Sequence, residues 1–119
     1  MGACSNSANV KTPIIVDNHG DVLLFESISD MERYIEPIDV VNQEYKFFDS
    51  TGRALTVGIQ NDQGREKVKI MQFEDQPTHQ SELRSLLITF LNSVSNTSTD
   101  FENFPLDHLI GKASQYRTD

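Results

Sequence analysis

A long apolar stripe near the C-terminal end constrains this sequence more than any other feature. Residues at the i, i+3, i+4, i+7 and i+8 positions of an α-helix lie on one side of it. Between Thr78 and Ser95 six large apolar residues follow this spacing, namely Leu83, Leu86, Leu87, Phe90, Leu91 and Val94. We expect this helix to cover one face of a sheet as part of the core. A helix that binds a partner is the alternative interpretation.

Short apolar runs separated by turn-forming residues predict the strands of that sheet. Residues 13–16 and 22–25 flank a polar loop that contains Gly20, which is typical of a β-hairpin. Residues 45–48, 55–59 and 67–73 form three further candidate strands. The last two alternate between apolar and polar residues, as half-buried strands do. The alternation changes phase at Met71, which predicts a β-bulge there.

A shorter helix is predicted between the hairpin and the later strands. Ser27 suits the N-cap position, and Asp30 stands at the third helical position. Apolar residues three or four apart mark its buried side, namely Ile28, Met31 and Ile35. Pro37 disfavours a helical conformation at Glu36, so we expect the helix to end there. Residues 38–41 are interpreted as an apolar connector or a short strand.

These elements predict one α+β domain with the order ββαβββα. We expect a mostly antiparallel sheet of about five strands with two helices packed on one face. The length of 119 residues fits a single domain. Its predicted limits are residues 13–110, with a disordered leader over residues 1–12 and a flexible tail over residues 111–119. The leader contains the single cysteine, Cys4, so no intramolecular disulfide can form, as is usual in a reducing compartment such as the cytoplasm.

The charge of the chain indicates which classes of partner it can bind. Ten Lys and Arg against 18 Asp and Glu give a net charge of −8. Residues 17–49 alone carry −7, because nine acids there face only Arg33 and Lys46. Such a charge repels nucleic acid and anionic membranes, and it favours a basic protein partner. A surface that is acidic only for solubility is the alternative. No apolar run approaches the roughly 20 residues of a membrane span.

No catalytic or metal-binding pattern stands out in the sequence. The histidines, His19, His79 and His108, lack the spacing of a zinc site, and only one cysteine is present. There is no nucleophile elbow and no phosphate-binding loop. Asp17, His19 and Asp21 are interpreted as hairpin-turn residues rather than metal ligands. We therefore expect a protein that is not an enzyme and needs no cofactor or metal.

One stretch of the chain resembles a known group of proteins. Its motifs are Asp21-Val22-x-x-Phe25-x-Ser27, Tyr34-Ile35-Glu36-Pro37-Ile38-Asp39-Val40, Glu44-Tyr45, Asp49 and Gly52-Arg53. This stretch is similar to small bacterial immunity proteins found beside polymorphic and contact-dependent growth-inhibition toxins. The resemblance implies a cytoplasmic inhibitor that binds the C-terminal domain of one toxin, many of which are nucleases with basic clefts. An acidic adaptor or regulatory protein-binding module is the alternative function, and the oligomeric state remains open.

The acids of the first predicted helix and the connector after it are the candidate partner-binding residues. Glu32 and Glu36 are four residues apart, so they would share one helix face away from the apolar side. Like charges at this spacing mildly destabilise a helix, which suggests a surface kept for a partner. Asp39 and Glu44 would extend the patch beyond Pro37. The predicted partner-binding set is Asp30, Glu32, Glu36, Asp39 and Glu44.

Overall fold

Five antiparallel strands form one sheet, and helices cover both of its faces. A computed structural model describes residues 10–95 and 100–116. The strands are β1 (Ile14–Asn18), β2 (Asp21–Phe25), β3 (Lys46–Phe48), β4 (Ala54–Asp62) and β5 (Arg65–Phe73). The helices are α1 (Ile28–Tyr34), α2 (Pro37–Val41), α3 (Gln80–Val94) and α4 (Leu106–Tyr116), with a 3-10 turn at Phe101–Asn103. The strand order β2-β1-β3-β4-β5 confirms the predicted α+β class and antiparallel sheet.

The hairpin of β1 and β2 closes through a two-residue turn. His19 and Gly20 have φ angles of 54° and 97°, so both adopt the left-handed conformation that a type I′ turn requires. Asp17 Oδ1 accepts a hydrogen bond of 2.8 Å from the Gly20 N–H, which stabilises the turn. These residues form the turn that their types predict.

The helices lie on both faces of the sheet, so the expectation of two helices on one face is wrong. Ile15 of β1 packs with α3 and α4, whereas Ile14 and Val16 pack with α1. In β2, Val22 and Leu23 divide between the same two clusters. The sequence shows the physical reason. Ile14, Ile15 and Val16 are successive apolar residues of β1, so their side chains point to both faces of the sheet and both faces need cover.

The long helix α3 buries the side that its apolar spacing predicts. Leu83, Leu87, Phe90 and Leu91 are buried in one cluster with residues of the sheet. The predicted order lacks α4, which packs beside α3 and buries Ala113. Residues 111–116 are therefore part of a packed helix rather than of the expected flexible tail, and residues 117–119 lie outside the described part.

The chain between β2 and β3 forms two short helices instead of one. The Ser27 hydroxyl accepts a hydrogen bond of 3.0 Å from the Asp30 N–H, which confirms the predicted N-cap. The helix α1 ends at Tyr34, and Ile35 is extended. Pro37 then opens α2, so the connector or strand expected over residues 38–41 is a helix. The φ of proline is already helical and its missing N–H is not needed in a first turn, which suits this position.

The β3–β4 turn is built around a buried carboxylate at Asp49. Asp49 accepts hydrogen bonds from the backbone N–H groups of Lys11, Thr51 and Arg53. Its side chain has no exposed surface, and the Arg53 guanidinium lies 3.7 Å away. Since Lys11 takes part and Val10 is buried, residues 10–12 belong to the domain and not to the expected leader. Residues 1–9 lie outside the described part.

Gly52 allows the same turn to touch the start of α3. Its φ is 94°, and a Cβ at this position would lie 2.8 Å from Gln80 Cα. The carbonyl oxygen of Gly52 accepts a hydrogen bond of 3.0 Å from the His79 N–H. A side chain here would therefore both strain the backbone and separate the turn from the helix.

The strands β4 and β5 extend as an arm beyond the rest of the sheet. Each has nine residues, yet β3 pairs only with Ala54 and Leu55 of β4. The register shifts where Thr56 pairs with Gln72 and Val57 with Ile70, so the predicted bulge at Met71 is confirmed. None of the helices within the described ranges is long and apolar enough to cross a bilayer.

Candidate functional site

Two of the five predicted partner-binding acids, Asp30 and Glu32, form ion pairs within the domain. Asp30 Oδ1 lies 2.6 Å from Arg33 Nη2, one helical turn away on α1. Glu32 Oε1 lies 3.4 Å from Lys69 Nζ on β5, and the Glu32 side chain is only 20% exposed. The carboxylate of Glu32 therefore links α1 to β5 more than it faces solvent.

The acids Asp39 and Glu44 lie beside the start of β3. Glu44 Oε1 is 2.9 Å from His19 Nε2 in the hairpin turn, and both side chains are exposed to solvent in part. The Tyr45 hydroxyl donates a hydrogen bond of 3.5 Å to Asp39 Oδ2. Burial raises the pKa of Tyr45 above its usual value, and the negative charge of Asp39 raises it further. Tyr45 thus stays a neutral hydrogen-bond donor that orients Asp39.

Glu36 is exposed, and it does not share a helix face with Glu32. That prediction is wrong because α1 ends at Tyr34 and Glu36 adopts an extended conformation with φ −89° and ψ 143°. Both acids nevertheless line one groove of about 420 Å³ between α1 and β5. Lys67 and Lys69 line the opposite side of that groove, so its charge is mixed rather than purely acidic.

The most exposed large apolar side chains lie around the start and end of α2. Tyr34 is 60% exposed, Ile38 59% and Val41 64%. Ile38 and Val41 are three residues apart and therefore share one side of α2, while Val40 packs towards the core. This feature was not predicted, because residues 38–41 were expected to form a connector or a short strand rather than a helix. The spacing of Ile38 and Val41 would have revealed it.

We define the α1–α2 surface as Tyr34, Glu36, Ile38, Asp39 and Val41. The acids of this surface adjoin its apolar residues in the chain, and the charges of Asp39 and Glu36, together with Tyr34, act on the pKa of the nearby Tyr45. An apolar centre with a polar rim is the usual anatomy of a protein–protein interface. Glu36 and Asp39 make the polar part of this surface negatively charged.

A second cluster joins the end of β5 to the start of α3. Glu74 Oε1 accepts hydrogen bonds of 2.9 Å from the Ala54 N–H and 2.8 Å from His79 Nδ1, and Glu74 Oε2 accepts one of 2.6 Å from the Thr78 hydroxyl. Burial alone would raise the pKa of Glu74. The hydrogen bonds from Ala54, Thr78 and His79 outweigh it and lower that pKa to about 2.

These hydrogen bonds tie the end of β5 to the start of α3. The Thr78 hydroxyl donates to Glu74 Oε2 and also lies 3.2 Å from His79 Nδ1, so the three side chains form one hydrogen-bonded cluster. His79 also lines a cleft of about 540 Å³ beside β3 and β4. The charged residues of that cleft, Lys46 and Glu82, form an ion pair of 3.2 Å with each other.

Within residues 10–95 and 100–116, no group of three or more His, Cys, Asp and Glu residues is placed to hold a metal ion. Comparison with known proteins found no match among family models, curated proteins or solved structures. The case for a function therefore rests on the residues and geometry of this chain.

Proposed function

We propose that this protein binds and inhibits a basic protein domain through the α1–α2 surface, as an immunity protein neutralises a bacterial toxin in the cytoplasm. One observation carries the proposal. Tyr34, Ile38 and Val41 are the most exposed large apolar side chains of the described residues, and the acids Glu36 and Asp39 lie between them in the chain. Exposed apolar groups that cluster and are rimmed by polar residues mark interaction sites. Aromatic and aliphatic anchors at such a centre supply most of the binding energy of an interface.

The charge distribution supports a basic partner. Residues 17–49, which include β2, α1 and α2, carry −7 of the total charge of −8. A field of one sign steers an oppositely charged protein to the surface and raises the association rate. Glu36 and Asp39 are the acids of the α1–α2 surface itself. Asp30, Glu32 and Glu44 lie around it and already hold Arg33, Lys69 and His19.

The stretch that resembles immunity proteins supports the inhibitory role. Glu36-Pro37-Ile38-Asp39-Val40, the most specific part of that resemblance, spans most of α2. An inhibitor of this kind needs no chemistry of its own, because it acts by covering the active site or substrate surface of its partner. An acidic surface suits partners that bind phosphate backbones, such as nucleases, since it imitates the charge of their substrate.

The test is co-expression with the toxin domain encoded beside this gene, with growth of the cells as the readout. We expect the wild-type protein to restore growth. The double variant Ile38→Ser, Val41→Ser should lose protection and bind roughly thirtyfold more weakly, which corresponds to a combined loss of about 2 kcal/mol for the two side chains. Because both side chains are exposed, the fold should be unaffected, which circular dichroism and thermal unfolding check.

Val94→Ser is the matched control, because Val94 is also exposed but lies at the end of α3. It should protect cells as well as the wild-type protein does. Full protection by the Ile38 and Val41 double variant would overturn the role of the α1–α2 surface. The absence of any toxin gene nearby, together with capture of a basic host protein by the same surface, would replace inhibition with an adaptor function.

A further inference from the structure

The outer edge of β2 leaves backbone hydrogen-bonding groups open. Asn18 and Asp21 pair across the two-residue turn, and hydrogen-bonded pairs then alternate along the hairpin. The N–H and C=O groups of Leu23 therefore face β1, and those of Val22 and Leu24 face outward. The Val22 N–H is capped by Asp21 Oδ1 at 3.0 Å. No strand in the described ranges pairs with this edge, so Leu24 offers one donor and one acceptor.

A groove runs along the same edge between α1 and α4. Its volume is about 450 Å³, and its lining residues are Leu23, Leu24, Phe25, Glu26, Asp30, Tyr34 and Ser114. The rings of Phe25 and Tyr34 lie 5.3 Å apart and form one wall. An extended chain that entered the groove would find an unpaired strand beside it and apolar walls for alternate side chains. These are the features that strand addition uses.

The charge of the groove specifies the occupant. Its ionisable groups other than tyrosine are Glu26 and Asp30, and no lysine or arginine lines it. Asp30 is paired with Arg33 at 2.6 Å, so Glu26 is the groove acid that is open to a basic segment. Glu26 is exposed and forms no ion pair among the described residues. A segment that carries lysine or arginine beside apolar residues would therefore match both the walls and the rim.

The opposite edge of the sheet has the residues that prevent strand addition. β5 carries Arg65, Lys67 and Lys69, and the bulge at Met71 interrupts its regular ladder. Charged side chains and bulges are the common means by which proteins protect an exposed edge. β2 has no basic residue, no proline and no bulge.

We infer that the outer edge of β2 binds an extended, basic segment of a partner protein as a sixth strand. This inference rests on the proposed function, because it gives the basic partner a second contact that adjoins the α1–α2 surface at Tyr34. A second copy of this chain fits the edge poorly. Pairing two β2 edges would place two acidic grooves side by side, in a protein whose net charge is −8.

The test uses amide hydrogen exchange of the full chain with a capped peptide of alternating lysine and valine. At a peptide concentration about ten times its Kd, exchange of the Leu24 amide should slow about tenfold. The Leu23 amide is the internal control, because its hydrogen bond to β1 exists without the peptide. Protection of Leu24 by a peptide with glutamate in place of lysine, or protection that is absent with both peptides, would overturn the inference.

The variant Glu26→Lys should weaken binding of the lysine peptide by about tenfold, and Glu66→Lys is its matched control. Glu66 is exposed on β5, and its reversal changes the net charge equally, so its effect should be much smaller. If the two variants lost the same amount of affinity for the lysine peptide, the attraction would depend only on the net charge of the protein. That result would contradict binding in the groove. Sedimentation of the protein alone as a dimer through β2 would also overturn it.

The peptide experiment needs no toxin, and this separates the two proposals. In one outcome the peptide slows amide exchange at Leu24, but the Ile38 and Val41 double variant still restores cell growth. Binding at the β2 edge is then supported and the proposed α1–α2 interface is not. In the other outcome the double variant no longer restores growth, and the peptide does not slow exchange at Leu24. The proposed function is then supported and binding at the β2 edge is not.

Discussion

The two ends of the sheet differ in how they are covered. At the β2 end, Val22 and Leu24 pack with the α3 cluster on one face, and Leu23 and Phe25 pack with the α1 cluster on the other. At the β5 end, Val57, Ile59, Val68 and Ile70 pack on the α1 and α2 side. Thr56, Gln60 and Lys67 are exposed. One end is thus a three-layer structure and the other a two-layer arm.

This difference explains why the two edges have opposite character. The arm faces water on one side, so its strands alternate and carry lysines that also keep other chains from pairing with β5. The β2 end is enclosed on both faces by helices, which leaves only its edge in contact with solvent. Because helices cover both faces, only an extended chain can reach the β2 edge. Such a chain would lie in the groove between α1 and α4.

The largest predicted effect tests the difference in cover directly. Leu87 is fully buried between α3 and the sheet, so Leu87→Ala should destabilise the protein by roughly 2–5 kcal/mol. Ile59→Ala on the half-buried arm removes the same number of carbon atoms and should cost only about half as much. Urea unfolding of both variants measures the difference. Equal losses would mean that the arm is as well packed as the β2 end.

Much of this fold follows from periodicity in the sequence. The buried face of α3, the Ser27 cap and the bulge at Met71 are each specified by residues close together in the chain. Pro37 was ambiguous, because proline disfavours a helix before it and favours one after it. The apolar runs of β1 and β2 predict strands, but only their lack of alternation indicates that both faces are buried.

The candidate site was less predictable because its contacts are distant in sequence. Glu32 pairs with Lys69, which is 37 residues away, and His19 pairs with Glu44 across 25 residues. Composition identified residues 17–49 as the acidic segment, but it could not distinguish acids with internal partners from Glu36. Ile38 and Val41 lie on the same exposed side only because residues 37–41 form α2, a helix that was not predicted.

The second predicted effect concerns the base of the arm, where Glu74 joins β4 to the start of α3. Glu74→Gln should destabilise the protein by about 1–2 kcal/mol near pH 7, since the hydrogen bonds from Ala54, Thr78 and His79 lose a charged acceptor. The folded-state pKa of about 2 lies below the ordinary 4.5. The stabilisation is therefore complete above that ordinary value and is lost as the pH falls from it towards 2.

Denaturant unfolding of the wild-type protein and Glu74→Gln across this acidic range checks the prediction. The difference between them should shrink as the pH decreases, while Glu66→Gln on the exposed part of the arm should match the wild-type protein throughout. A difference that is independent of pH would mean that the Glu74 charge is not what holds the base of the arm.

The smallest predicted effect concerns the ion pair between Glu32 and Lys69, which links the helix next to β2 with the strand at the far edge. The two side chains are 20% and 40% exposed, so solvent screens the pair and the expected coupling is about 0.5 kcal/mol. A double-mutant cycle with Glu32→Gln and Lys69→Gln measures it. Glu36→Gln is the control and should leave stability unchanged, because Glu36 is exposed and forms no ion pair among the described residues.

A coupling of zero would return Glu32 to the partner-facing acids, since its charge would then be free for another protein. A measurable coupling would mean that a basic partner must compete with Lys69 for this carboxylate, which leaves Glu36 and Asp39 as the acids most available for binding.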